Sequence, residues 1–102
     1  MMDYEYIKCR WDTLADDEPM LLFYEIDQSR NRLAVRVAEV FSGGKVRQIF
    51  GEGVGYDYGV TISTVEEINA DPQFFAVKIS RDEFEEAYGA ALYSGDIDFY
   101  ID

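Results

Sequence analysis

The stretch MLLFYEIDQSRNRLAVRVAEVFSGGKVRQIF, residues 20–50, decides the fold. Three apolar, β-branched and aromatic runs are separated by QSRN and SGGK, both too short for anything but tight turns. MLLFYEID, RLAVRVAEVF and VRQIF therefore read as consecutive antiparallel strands. Gly43-Gly44 supplies the positive φ that a two-residue hairpin turn needs. In the middle run, strict alternation puts Arg32, Ala34, Arg36 and Ala38 on one face, opposite Leu33, Val35, Val37 and Phe41.

Working outward, DYEYIKCRW extends the meander to its N-terminal side. Glu5, Ile7, Cys9 and Trp11 point one way; Tyr4, Tyr6, Lys8 and Arg10 point the other. DTLADDE is a polar connection ending at Pro19, which has no N–H for a ladder and suits the start of a strand. On the C-terminal side, GEGVGYDYG carries Gly51, Gly53, Gly55 and Gly59 and reads as the most mobile loop. STVEEINADP has capping-box spacing between Thr64 and Glu67, with Pro72 just beyond, and predicts a short helix. QFFAVKI predicts a strand. SRDEFEEAYGAALYSG predicts the longest helix, capped by Ser80, boxed by Glu83 and stopped at Gly95. Its apolar face would be Phe84, Ala87, Tyr88, Ala91 and Leu92. In the closing SGDIDFYID, Ile97, Phe99 and Ile101 alternate with acids, so residues 96–102 read as a last strand.

The expectation is one α+β domain over residues 1–102. Its antiparallel β-sheet has five or six strands, with one long helix packed on one face and one short helix at the edge. Its core would include Ile7, Trp11, Leu22, Ile26, Leu33, Val35, Val37, Ile49, Phe75, Val77, Phe84, Tyr88 and Leu92.

Charge carries the functional signal. The chain has a net charge of −12. Residues 1–50 hold nine acids and seven bases, whereas residues 51–102 hold twelve acids against only Lys78 and Arg81. Such a field repels nucleic acid and anionic membranes and attracts basic proteins. No apolar run reaches the roughly 18 residues of a membrane span, and the opening residues, with no apolar block behind a basic start, are not expected to be a secretory signal. Cys9 is the one cysteine, so no intramolecular disulfide forms, and a reducing cytoplasm is the expected compartment.

Motifs for catalysis do not emerge. There is no histidine, which removes Ser-His and Cys-His pairs and leaves no ligand set for zinc, haem or iron–sulfur. Asp12, Asp16, Asp17 and Glu18 offer oxygen ligands but do not match a calcium loop. GEGVGYDYG lacks the lysine of a phosphate loop and carries Glu52 and Asp57. Lys8 and Arg10 with Tyr4 and Tyr6, beside Arg32 and Arg36, would give a stacking and clamping face for single strands. Glu25 and Asp27 on the intervening strand offer those bases cross-strand partners instead.

What remains is a non-enzymatic protein-binding module without cofactor, metal or direct nucleic-acid contact, a monomer or weak homodimer that meets a basic protein such as a toxin or nuclease domain. The candidate contact residues are the acid and tyrosine clusters: Asp12, Asp16, Asp17 and Glu18; Tyr56, Asp57 and Tyr58; and Asp96, Asp98 and Tyr100. One alternative is an acidic DNA-mimic inhibitor of a nuclease or defence complex. Another is a small ligand-binding domain or enzyme with a carboxylate-lined cleft. A closed pocket with buried paired carboxylates would favour the cleft, and a flat or convex acidic face would favour the binder.

The blocks YIKCRW, DEPMLLFYEID, VRVAEVF with GGK, STVEEINADPQF and VKISRDEFEEAY occur in an order similar to that of a family of small uncharacterised bacterial proteins. Its members open on Y-I-K-x-R-W, continue through D-E-P, and close on I-S-x-x-E-F-E. The resemblance covers roughly residues 4 to 93 and implies no activity, because that family has none assigned. Small acidic α+β proteins of this kind are often immunity proteins against toxins, which by analogy of type implies neutralisation by direct binding.

Overall fold

The computed structural model describes residues 3–12, 18–50 and 61–93. Five strands form one antiparallel sheet in the order β4-β3-β2-β1-β5. They are β1 (Tyr4–Trp11), β2 (Leu21–Asp27), β3 (Leu33–Val40), β4 (Val46–Phe50) and β5 (Phe74–Lys78). Two helices, α1 (Val65–Asn69) and α2 (Arg81–Tyr88), complete an α+β fold. The expected loop over 51–59 and the expected strand over 96–102 lie outside the described residues.

Helices cover both faces of the sheet, where one covered face was expected. On one face Tyr6, Leu21, Phe23, Ala38 and Val40 pack under Phe84 and Ala87 of α2. On the other, Ile7, Cys9, Leu22, Ile26, Ala34 and Ala76 pack with Ile62 and with Val65 and Ile68 of α1. A strand covered on both sides cannot alternate between buried and wet, and Tyr6, Ile7, Lys8 and Cys9 are buried in succession. Antiparallel sheets more often leave one face wet.

The middle strand departs from its expected parity. Glu25 pairs with Arg36 but Ile26 pairs with Ala34, so Val35 is the extra residue of a β-bulge. A bulge inserts one residue without a partner and reverses which side the following residues face. Arg36, Ala38 and Val40 thus lie on the α2 side, while Ala34 turns to the α1 side. The face shared by Arg32, Ala34, Arg36 and Ala38 does not exist. Leu33, Val35 and Val37 are accordingly only half-buried.

The turns follow their residues. Gly43 and Gly44 both take φ of 87°. Gly44 is doubly constrained, because a Cβ there would sit 2.9 Å from the carbonyl oxygen of Tyr93. The β2–β3 turn is a single 3-10 turn, Gln28–Arg30, capped by Asp27 and left through Asn31 at φ 57°.

The second helix is half the expected length. Ser80 caps it by accepting from Glu83 N–H at 3.1 Å, as the sequence implies. The Glu83 carboxylate lies 3.9 Å from Lys8 Nζ, not over the cap. Gly89 then ends the helix, its N–H donating to Glu85 C=O. Beyond it the chain pairs with the start of β4: Val46 N–H donates to Ala91 C=O, and Tyr93 N–H to Gly44 C=O at 2.7 Å. Those edge bonds compete with further helix, and glycine is a poor helix interior residue. Ala91 and Leu92 therefore leave the apolar stripe, and Leu92 is 63% exposed.

Of the expected core, Ile7, Leu22, Ile26, Ile49 and Phe84 are buried. Trp11, Phe75, Val77 and Tyr88 are half-buried near the rim. On the far edge, α1 protects β5: Asn69 accepts from Ala76 N–H at 2.6 Å and donates to Ala76 C=O at 3.0 Å, standing in for a neighbouring strand.

Phe84 is fully buried against Tyr6 and Tyr88. Phe84→Ala should therefore destabilise the fold by about 3–5 kcal/mol. Leu92→Ala should cost less than about 0.5 kcal/mol despite its helical spacing from Phe84 and Tyr88. Urea denaturation of both variants checks the contrast.

Candidate functional site

Eight of the nine bases lie within ion-pair distance of an acid, with Lys8, Arg10, Arg32 and Arg36 largely covered and Arg30, Arg47, Lys78 and Arg81 on the surface. Lys45 is exposed and makes no ion pair among the described residues. Arg36 is the centre of the largest cluster. Its Nε and Nη2 donate to the two carboxylate oxygens of Glu25 at 2.7 and 2.8 Å. Nη2 also lies 2.8 Å from Glu85 Oε1 on α2. The guanidinium stacks within 5.0 Å of the Phe84 ring centroid and 4.8 Å of that of Tyr88. Tyr6 OH donates to Glu25 at 2.9 Å. Burial alone would raise the Glu25 carboxyl, but the Arg36 and Tyr6 hydrogen bonds hold it below its ordinary value. Burial and the Glu25 hydrogen bond push the Tyr6 hydroxyl up to about 12.

On the opposite face, Arg32 donates to Glu5 and to Ile62 C=O, both at 2.7 Å, and to Ser63 C=O at 3.2 Å. Lys78 reaches the same Glu5 at 3.5 Å. Lys8 and Arg10 lie on the α2 side, near Glu83 and Asp12 respectively. The bulge thus separates Arg32 from Arg36 across the sheet, and the four bases expected to share one clamping face do not.

With the bases so engaged, acids dominate what is left outside. Glu66 on α1 and Asp82 and Glu86 on α2 are exposed and make no ion pair among the described residues. The two helices lie on opposite faces, so these carboxylates do not form one patch. Asp12 is exposed just past β1, 3.5 Å from Arg10 Nε. Glu18 is half-buried across the same connection, which is closed by Trp11 N–H donating to Met20 C=O. Asp16, Asp17, Tyr56, Asp57, Tyr58, Asp96, Asp98 and Tyr100 lie outside the described residues.

One concavity was not anticipated. An open groove of about 290 Å³ lies between the sheet and α1. Cys9, Tyr24 and Phe74 form its sheet side, and Ile62, Ile68, Glu67 and Asp71 form the side of α1 and its flanks. Burial pushes the Cys9 thiol up to about 11, so it is protonated and unreactive at neutral pH. Glu67 N–H donates to Thr64 Oγ1, and the Glu67 carboxylate accepts from Thr64 N–H at 3.0 Å, which completes the expected capping box. Thr64 holds the exposed Glu67 carboxyl below its ordinary value, with a smaller contribution from nearby Arg32. Asp71 accepts from Gln73 N–H at 3.0 Å in the turn that follows. Sequence reasoning assigned Glu67 and the ADP stretch to capping and helix termination alone. The available signal was that Glu67 and Asp71 stand four residues apart beside the apolar Ile68.

Among the described residues, no group of three Asp, Glu or Cys side chains is arranged to hold a metal ion, and no helix is long and apolar enough to cross a membrane. A family model described as "Domain of unknown function (DUF6881)" matches residues 5–93. No curated protein and no solved structure matches the chain.

Two carboxylates respond to pH in opposite senses. Glu25 has a depressed folded pKa, so its contribution is present above the ordinary carboxylate range, near pH 4.3, and is lost as pH falls through the folded value. Glu25→Gln should cost about 3 kcal/mol at pH 7, the low end for breaking a buried pair because Arg36 keeps Glu85. That cost should shrink towards pH 3. Glu39 is raised by burial, with Arg47 3.7 Å away opposing the shift. Its charged form therefore opposes folding, and Glu39→Gln should stabilise the protein at pH 7 and lose that advantage below pH 4. Denaturation midpoints of both variants across pH 3–7 test the signs.

Proposed function

We propose a function on the premise that this chain belongs to the DUF6881 family, a domain with no assigned activity, so the reading rests on its own residues. The protein is a non-enzymatic binding module that associates with a basic protein, and its role is immunity: neutralising a toxin by direct contact. The observation that carries this reading is the division of charge. Lys8, Arg10, Arg30, Arg32, Arg36, Arg47, Lys78 and Arg81 all lie within ion-pair distance of acids of the same chain. Glu66, Asp82 and Glu86 face outward without such partners, against Lys45 as the one exposed base that has none among the described residues. A surface built that way steers a cationic partner in and repels polyanions.

The enzyme or cleft alternative has less support. The groove beside α1 is open, and its carboxylates, Glu67 and Asp71, are exposed, whereas a general acid–base pair needs burial to set its protons apart.

Coexpression with whichever neighbouring gene product proves toxic tests the proposal. The intact protein should restore growth and copurify with the toxin. Rescue without a complex rejects direct neutralisation, and no rescue rejects immunity. Neutralising Glu66, Asp82 and Glu86 together (E66Q, D82N, E86Q) should lower the association rate by about tenfold at low salt and flatten its salt dependence. Stopped-flow mixing of the purified partners measures both.

A further inference from the structure

The groove between the sheet and α1 has a chemistry of its own. Its apolar walls are the Phe74 and Tyr24 rings with Ile62 and Ile68, and its rim holds Glu67 and Asp71. Neither rim carboxylate makes an ion pair among the described residues. The nearest guanidinium, Arg32, is already held by Glu5 and by two backbone carbonyls. We propose that this groove receives an alkyl cation, the aliphatic stem and charged head of a lysine or arginine side chain presented by the basic partner. The source of that side chain rests on the function proposed above, whereas the groove's selectivity stands on its own.

Size, walls and charge agree on this ligand. At about 290 Å³ the groove falls at the bottom of the range for small-molecule sites, roughly 300–1,000 Å³, and suits a single long side chain. Long basic side chains lay their methylenes on apolar surface while the head stays at a polar rim. Aromatic rings attract cations over their faces, and Glu67 and Asp71 supply the counter-charge. An anion would meet both rim carboxylates and the protein's overall negative field. A neutral apolar ligand would leave that counter-charge unused. Trp11 stacks on Phe74 with ring centroids 5.8 Å apart. Association with the partner then divides into two parts. The outward carboxylates of α2 and Glu66 set the rate of encounter, and the groove sets the rate of escape.

The backbone amides of Ile62, Ile68 and Phe74, which line the groove, report on what enters. The folded protein is titrated with pentylammonium, pentanoate and pentanol, and those amide resonances are followed. Pentylammonium should shift them at millimolar concentration, with an apparent affinity at least about tenfold above that of the other two. Paired changes at the rim, Glu67→Gln with Asp71→Asn, should remove most of that preference; glutamine keeps the capping box and asparagine keeps the turn. Asp82→Asn with Glu86→Gln removes the same charge from the opposite face and should leave the preference nearly intact. Equal shifts from the three ligands, no shift with pentylammonium, or equal effects from the two double variants would overturn the groove. These outcomes need no partner, so they are separate from the fate of the proposed immunity. If the preference holds but the rim variant releases a bound toxin no faster than the wild type, the groove takes free alkyl cations and the partner's side chain is excluded as its source.

Discussion

The structure depends on a guanidinium that cannot be left alone. Arg36 sits between the Phe84 and Tyr88 rings with its donors turned to Glu25 and Glu85. A cation under a helix is tolerable only when its hydrogen bonds and its charge are both met. Three of its neighbours, Phe84, Glu85 and Tyr88, come from α2, and Glu25 comes from β2. The one arginine therefore fixes where the eight-residue helix lies on the sheet. A helix that short has little stability of its own. Its position comes from Phe84 and Ala87 buried below and Arg36 engaged from the strand.

That placement in turn depends on the bulge at Val35. Without the extra residue, Arg36 could still pair with Glu25, but Ala34 would share its side, and the α1 face would present the wrong residues to Ile26 and Ile62. With it, one strand serves two cores. Arg36, Ala38 and Val40 meet α2, while Ala34 meets the layer under α1. Small residues at positions 34, 38 and 76 let the elements on each side approach closely. Tyr6, Ile7, Lys8 and Cys9 of β1 are buried on alternate faces for the same reason.

Much of this was legible in the sequence, and the failures have identifiable causes. The four-strand meander, the Gly43-Gly44 turn, the Thr64–Glu67 box and the Ser80 cap all follow from local rules that act within a few residues. The bulge did not, because nothing in LAVRVAEV marks which residue loses its partner; that is set by Ile26 and by what must face α1. The length of α2 was misread because the apolar spacing continues through Ala91 and Leu92. Local periodicity cannot see that those residues have backbone partners waiting at Gly44 and Val46. The covered second face was missed because α1 is only five residues long, and its contribution comes from Ile62 just before it as much as from the helix. On the functional side, formal charge was readable, but how many bases it left for the surface was a tertiary fact. The groove was not readable at all, since Cys9, Tyr24 and Phe74 meet only across three strands.

The division of charge also means that acids of equal formal value are not equivalent. Removing Glu25 makes the molecule less negative on paper, yet its effect falls on the Arg36 cluster and hence on the seat of α2. Removing Asp82 or Glu86 touches no partner within the fold and changes only the field outside. The inner carboxylates are thus bound to the architecture and the outer ones are free to be tuned to whatever approaches. A fold that ties most of its bases to its own carboxylates, Arg32 and Arg36 among them, leaves the unpaired acids to set its exterior. Any recognition of basic partners would then be founded on the same ion pairs that hold the fold together.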